Sequence, residues 1–202
     1  MAMTIAASGP APLGVPRWRH FPLVEVVLFQ AGWFACVLGA AHGLFWLGPA
    51  VAGAVLLIHL VAMHRPRDEL RVAGFALMTG VLADSLLGQL GLLSCAPFAD
   101  AVSPPWMAVL WPLFGISLRT YCRWLQRRLL LAALLGAVVG PISYYSGVRL
   151  EVLRLPAGTW QGLAAVSVEW LIATPLLAWF AGWAGRQGAG EGAGAPAGVP
   201  RA

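Results

Sequence analysis

The feature that most constrains this chain is a series of six apolar runs, each close to the length of a membrane-spanning helix. The runs cover residues 23–41, 44–63, 72–93, 105–118, 129–148 and 160–183. A helix that crosses a bilayer needs about 20 mostly apolar residues. Strands of a membrane barrel would alternate apolar and polar residues, and these runs do not. We therefore predict an all-α integral membrane bundle of about six transmembrane helices.

The composition agrees with a chain that lies in lipid. Hydrophobic residues make up 59% of the sequence and charged residues only 10%, whereas a soluble domain carries about 25% charged residues. The net charge of +5 comes from arginine alone, because the chain contains no lysine. The arginines form short clusters between apolar runs, which is typical of topology signals. We predict the lipid bilayer as a partner and no nucleic acid.

The sequence divides into three regions. Residues 1–20 are rich in small residues, proline and glycine, and we predict a disordered cytoplasmic lead. Residues 21–185 form the predicted six-helix transmembrane domain, and residues 186–202 form a predicted disordered tail rich in Gly, Ala and Pro. Glu25 and Gln30 interrupt the first apolar run, so we interpret it as a retained helix and not as a cleaved signal peptide.

The arginine distribution predicts the orientation of the chain. Eleven of the 13 arginines lie before the first run, between the second and third, between the fourth and fifth, or after the sixth. The opposite segments hold only Arg149 and Arg154. Because positive residues concentrate on the cytoplasmic side, we predict that both termini are cytoplasmic and that the chain is a multi-pass membrane protein.

Polar residues inside the apolar runs form the candidate intramembrane site. With a rise of 1.5 Å per residue, Asp84 lies roughly 20 Å from the inner boundary and Glu169 roughly 14 Å from the outer one. The two acids therefore reach a comparable depth, and Tyr144 and Tyr145 come out near the same level. Ionisable residues at this depth normally face the interior of a bundle. They serve either as hydrogen-bonding links between helices or in a ligand, proton or catalytic role.

A second polar cluster is predicted in the inner half of the bundle. Glu25, His59 and Arg119 all come out in the inner half by the same count. Arg119 can extend to the interface or pair with Glu25. Helix–helix linkage or anchoring at the interface is the favoured interpretation for this group.

Motifs for known chemistry are missing from the sequence. There is no GxSxG elbow, no HExxH and no GxxxxGK[ST] loop. The three cysteines are far apart and show no metal-ligand spacing. We predict no cofactor and no metal, and we leave enzymatic activity open while favouring its absence.

Five blocks of the sequence carry a family resemblance. The blocks are FQAGWFACVLGAA, GVLADSLLGQLGLL, PPWMAVLWPLFGISL, GPISYYSGVRLE and VEWLIATP. With these blocks the chain resembles the domain of unknown function 2878 family of small bacterial inner-membrane proteins. The resemblance covers nearly the whole chain except its two ends. It implies location in a bacterial inner (plasma) membrane and implies nothing about a substrate.

Three classes of function stay open at this stage. The first is binding or transport of a small molecule or lipid through the Asp84 and Glu169 site. The second is a structural or assembly partner of other membrane proteins, in which the polar residues fix only the helix packing. The third is an intramembrane lipid-modifying enzyme that uses the two carboxyl groups as acid and base.

Overall fold

The computed structural model describes residues 16–95, 97–98 and 102–193. This part of the chain is helical and contains isolated bridges but no strand. The helices are α1 (Phe21–Ala41), α2 (Leu47–Ala62), α3 (Pro66–Gln89), α4 (Pro105–Ala108), α5 (Leu110–Ser117), α6 (Leu129–Arg149) and α7 (Thr159–Ala193). Only Val109 separates α4 from α5, so each predicted apolar run corresponds to one helical segment. The prediction of an all-α membrane bundle is confirmed.

The helices differ in whether their length allows them to cross a membrane. By length and apolar composition, α1, α3, α6 and α7 could each span one. The 16 residues of α2 rise about 24 Å, and the segment α4–α5 rises about 20 Å. Both fall short of the roughly 30 Å hydrocarbon core. Six complete crossings therefore stay a prediction.

Three helices end in the same kind of turn at one end of the bundle. After α1 and α3 the chain enters the left-handed region at Gly43 and Gly91, with φ of 74° and 68°. The amide of Leu44 donates to Gly39 O at 2.7 Å, as in a Schellman motif. A hydrogen bond of the same kind, from an amide to the carbonyl five residues earlier, also closes α3 and α6. The segments after α3 and α6 then pair through Ser94 and Arg154, so these helix ends lie together.

Helix α5 occupies the centre of the bundle. It packs against α1, α2, α3 and α7, with Trp111 buried on one side of it and Leu113 and Ile116 on another. A helix that is apolar all round belongs in the interior, which explains why α5 can be short. Helices α6 and α7 form a tight pair because Gly136 and Gly140 of α6 lie against α7, as small residues let helix backbones approach closely.

The first and last helices mark the two ends of the described bundle. Helix α1 begins at Phe21, and the amide of Arg17 donates to Ala62 O at the end of α2, at 2.8 Å. Helix α7 continues to Ala193, so residues 186–193 are helical although the sequence predicted that they belong to the tail. Extending an existing helix adds one hydrogen bond for each residue fixed. The other parts of the predicted lead and tail, 1–15 and 194–202, lie outside the described residues.

Candidate functional site

Asp84 lies at the centre of a buried polar group near the end of α3. Its Oδ2 accepts hydrogen bonds from Trp111 Nε1 at 2.8 Å and from Ser103 Oγ at 3.3 Å. Its Oδ1 accepts one from the hydroxyl of Tyr144. Ser103 is held in turn by its own amide, which donates to Ser85 Oγ at 2.9 Å. Side chains from α5, α6 and the segment before α4 thus converge on one carboxyl group of α3.

A glycine of α3 makes the contact between Trp111 and Asp84 sterically possible. Gly80 lies one turn before Asp84, and a Cβ atom at Gly80 would overlap the indole ring of Trp111. The ring therefore lies directly on the backbone of α3 and directs its Nε1 to the carboxyl group. The absence of a side chain at Gly80 therefore allows both the packing of Trp111 against α3 and the hydrogen bond from Trp111 to Asp84.

Glu169 of α7 provides a second carboxyl group close to Asp84. The two acids are near enough to interact electrostatically. Both carboxyl oxygens of Glu169 are buried and accept no hydrogen bond from any residue in the described part of the chain. The ion pairs formed by the described residues involve neither acid. Because a buried unpaired carboxylate is very costly, a proton or a group from outside must complete this site.

An aromatic wall separates the two acids from a large cavity. The rings of Trp111 and Trp170 stack with centroids 4.8 Å apart. Phe114 and Tyr144 pack against Trp170 at 5.2 and 6.4 Å. All four side chains also line the cavity. Tyr144 and Trp111 therefore present their polar atoms to Asp84 and other parts of their rings to the cavity.

The cavity has a volume of about 470 Å³ and lies between α1, α4–α5 and α6. Its aromatic lining residues are Phe29, Trp33, Phe34, Trp106, Trp111, Phe114, Tyr121, Tyr144 and Trp170. Lining side chains of α1 and α6, among them Phe34, Val139 and Ile142, are also exposed on the outer surface. The cavity therefore opens sideways between these two helices, where Trp33 Nε1 donates to Ser143 Oγ at 3.1 Å.

A second buried polar network links helices at the opposite end of the bundle. His59 lies between two carboxyl groups: its Nδ1 is 2.6 Å from Glu25 Oε1 and its Nε2 is 3.2 Å from Glu69 Oε2. Arg119 donates to both oxygens of Glu69 at 2.9–3.1 Å and to Ala181 O at 2.9 Å. Contacts of this network involve α1, α2, α3, α7 and the residues after α5.

The charges of this network balance. Carboxylates only accept hydrogen bonds, so an imidazolium at His59, with a donor on each ring nitrogen, donates to Glu25 and Glu69 together. Two carboxylates and two cations then leave no net charge in the interior. The four side chains are 0–3% exposed, and Glu69 is about 22 Å along α3 from Asp84. The network and the Asp84 site are separate.

The structure brings together most of the predicted site residues and separates one. Asp84, Tyr144 and Glu169 lie at the same end of the bundle. Tyr145 does not join them: its side chain is 42% exposed, because neighbouring residues of a helix point about 100° apart.

The prediction for the second cluster was incomplete. Arg119 neither extends to the interface nor pairs with Glu25, because Glu69 offers it both carboxyl oxygens in the interior. Glu69 was missed although its spacing from Asp84 puts the two acids on one face of α3. Trp111 was also missed as a site residue, since nothing in an apolar run marks which indole donates to an acid.

The fold and these two groups define a class of protein. Four apolar helices long enough to cross a membrane, with charged side chains enclosed among them, define a helical membrane protein. The chain belongs to the family described as protein of unknown function (DUF2878), whose model matches residues 22–176. The resemblance noted in the sequence is thereby confirmed. Comparisons with curated proteins and with solved structures gave no match.

Among the described residues, no group of three or more His, Cys, Asp and Glu side chains could hold a metal ion.

Proposed function

We propose that this protein binds a small apolar molecule or lipid in the cavity between α1, α4–α5 and α6. The observation that carries the proposal is the cavity itself. Its volume of about 470 Å³ lies within the 300–1,000 Å³ typical of ligand pockets, which are mostly apolar with a few placed polar groups. Tyr144 lines the proposed site and donates to Asp84, which lies with Glu169 behind the aromatic wall.

The contrast between the two polar groups favours binding over a purely structural role at Asp84. The network around Glu69 uses both oxygens of Glu69 and leaves one buried carboxyl oxygen, Glu25 Oε2, without a partner among the described residues. The Asp84 group leaves both oxygens of Glu169 and the Nε1 of Trp170 without a partner. Trp170 also lines the cavity. Unmet hydrogen-bonding capacity beside a cavity is typical of a site that an outside molecule completes.

The proposal predicts that filling the cavity displaces a co-purifying molecule. Val139 lines the cavity and Val138 does not, although the two side chains are almost equally exposed, at 55% and 58%. We expect mass spectrometry to find a compound bound to the wild-type protein and to Val138→Trp, and to find it strongly depleted in Val139→Trp. The compound would also identify the ligand.

Size-exclusion profiles and thermal unfolding check that both tryptophan variants are folded. Mass spectrometry of the compounds that co-purify with Asp84→Asn and with Glu169→Gln tests the role of the two acids. Equal recovery of every compound from folded Val138→Trp and Val139→Trp would rule out the cavity as the binding site.

We further propose six crossings, both termini in the cytoplasm and location in a bacterial inner membrane. Support comes from the arginine distribution and from the grouping of the ends of α1, α3 and α6 on one side. We expect green fluorescent protein fused after Ala202 to fluoresce, and alkaline phosphatase fused after Arg154 to be active, in a Gram-negative host. The reverse pattern at either position would refute this topology.

A further inference from the structure

A glutamine of α1 lines the cavity at a depth where polar side chains are costly. Gln30 is nine residues after Phe21, so it lies about 14 Å from one end of α1 and about 17 Å from the other. Helix α1 is long and apolar enough to cross a membrane, and a crossing helix of this length holds Gln30 near the middle of the hydrocarbon core. Gln30 is exposed and belongs to the cavity lining. Its amide therefore meets either lipid tails or the contents of the cavity.

The hydrogen-bonding groups of Gln30 are not used within the described part of the chain. A glutamine amide has two donor hydrogens and an acceptor oxygen, and the side chain of Gln30 makes no hydrogen bond with any described residue. Gln126, by contrast, donates to Leu118 O at 2.7 Å. A polar group without a partner in hydrocarbon is costly. A molecule that brings hydrogen-bonding groups to Gln30 removes this cost.

The rest of the lining indicates that this molecule is uncharged and comes from the bilayer. The described residues that line the cavity include no arginine, histidine, aspartate or glutamate, so an ion would lie there without a counter-charge. The cavity opens sideways at the exposed residues Phe34, Val139 and Ile142. Lipid tails are as apolar as this lining, so apolar contact alone gives a lipid little free energy for leaving the bilayer. Hydrogen bonding to Gln30 therefore distinguishes the ligand from other lipids.

We infer that the ligand is an uncharged lipid with a hydroxyl or carbonyl group that forms a hydrogen bond with the amide of Gln30 near the middle of the membrane. The inference rests on the proposed function and adds the chemical class of the ligand. The apolar part of the lipid lies along Trp33, Phe34 and Val37, which line the cavity on the same face of α1. Phospholipids do not fit, because their head groups carry charge and lie at the surface of the hydrocarbon core, about 15 Å from its centre.

Removing the amide tests the role of Gln30 through stability and ligand content together. Gln30→Leu keeps a side chain of similar size without polar atoms. With bound compounds removed from both proteins, we expect this variant to unfold in detergent at the same temperature as the wild-type protein or higher, because it loses only an unpaired polar group. As purified, it should lack most of the compound that co-purifies with the wild-type protein.

Gln126→Leu is the matched control for Gln30→Leu. This variant loses the hydrogen bond to Leu118 O, and Gln126 is outside the cavity lining. We therefore expect Gln126→Leu to unfold at a lower temperature than the wild-type protein and to retain the co-purifying compound. The two glutamine variants thus have opposite expected effects on stability and on ligand content.

Probes with the same ten-carbon chain test the chemical class of the ligand. Decan-1-ol, decane, decanoate and decyltrimethylammonium are each added to the full-length protein in a neutral detergent, and tryptophan fluorescence reports binding because four tryptophans line the cavity. We expect Gln30→Leu to raise the Kd of decan-1-ol about fivefold, the effect of one neutral hydrogen bond, and to leave that of decane unchanged. Comparing one probe in two proteins cancels its partition into detergent. Both charged probes should bind the wild-type protein more weakly than decan-1-ol.

The outcomes distinguish this inference from the proposed function. Equal Kd values of decan-1-ol for the wild-type protein and folded Gln30→Leu would overturn the role of Gln30 and leave the cavity as a binding site. A charged probe that binds more tightly than decan-1-ol would overturn the uncharged class. A large loss of stability in Gln30→Leu, or its change from dimer to monomer by light scattering, would show that Gln30 links helices and does not bind a ligand. No binding of any probe, together with no co-purifying compound, would overturn the proposed function as well.

Discussion

Replacing Glu69 by glutamine is expected to lower the free energy of unfolding by about 3–5 kcal/mol, the cost of removing one partner from a buried ion pair. The carboxylate of Glu69 interacts with Arg119 and His59, and all three side chains are buried. Glutamine has nearly the same shape but no charge, so the variant leaves an excess positive charge in the interior. Thermal unfolding of the purified protein in detergent measures the effect.

The neighbouring acid offers a matched control. Asp68 is also buried, but its described ion-pair partner, Arg71, has a side chain that is 51% exposed, with 3.4 Å between Arg71 Nη1 and Asp68 Oδ1. Pairs that reach solvent contribute about 0–1 kcal/mol, so Asp68→Asn should lower stability far less than Glu69→Gln. Equal losses in the two variants would contradict the structural role assigned to the network.

A double variant tests whether charge balance is the cause. Glu69→Gln combined with Arg119→Gln removes one charge of each sign and leaves the pair of Glu25 and His59 at 2.6 Å. We expect the double variant to be less destabilised than the sum of the two single variants, as groups in one network are not additive. A strictly additive loss would show that the two side chains contribute independently.

Replacing Gly80 by alanine is the second change with a large expected effect. A Cβ atom at this position overlaps the ring of Trp111, so the indole must move from α3 and its hydrogen bond to Asp84 must lengthen or break. Overpacking of this kind costs about 1–3 kcal/mol. We expect a lower unfolding temperature and loss of the co-purifying compound from Gly80→Ala.

Gly74 in the same helix is the control for Gly80. Nothing lies within 4 Å of a Cβ atom built there, and alanine in a helix is favoured over glycine by about 1 kcal/mol. Gly74→Ala should therefore unfold at the same temperature as the wild-type protein or higher, with its bound compound retained. A Gly80→Ala variant as stable as Gly74→Ala would mean that Trp111 is not fixed against α3.

Run length and the absence of alternation between apolar and polar residues were enough to predict the apolar helices. The starts of α3 and α4 at Pro66 and Pro105 agree with the preference of proline for the first helical turn. The predicted run 105–118 was already only about 21 Å long, but sequence could not predict that α5 is central, because that depends on the four helices packed against it. The continuation of α7 past residue 185 was missed because glycine and alanine also occur in linkers.

The candidate site was predicted only in part. The depth of a residue in the membrane follows from its position along a helix, whereas the arrangement of the helices around the bundle axis does not. Counting 1.5 Å per residue placed Asp84, Glu169 and Tyr144 at one level. The same count put Arg119 and Glu25 in the inner half of the bundle and left their pairing open, whereas Arg119 binds Glu69. A height alone does not say which helices are neighbours. The cavity was not predictable for the same reason, since it exists only where α1 and α6 stand apart.

The hydrogen bond from Arg119 to Ala181 O has a consequence for biosynthesis. The acceptor of this bond lies 62 residues after Arg119, near the middle of α7. The four side chains of the network, Glu25, His59, Glu69 and Arg119, all precede it in the chain. During translation the guanidinium therefore enters the membrane before its final acceptor exists. Completion of the bundle is thus coupled to synthesis of α7, and a chain that stops before Ala181 leaves Nη1 of the buried Arg119 without its acceptor.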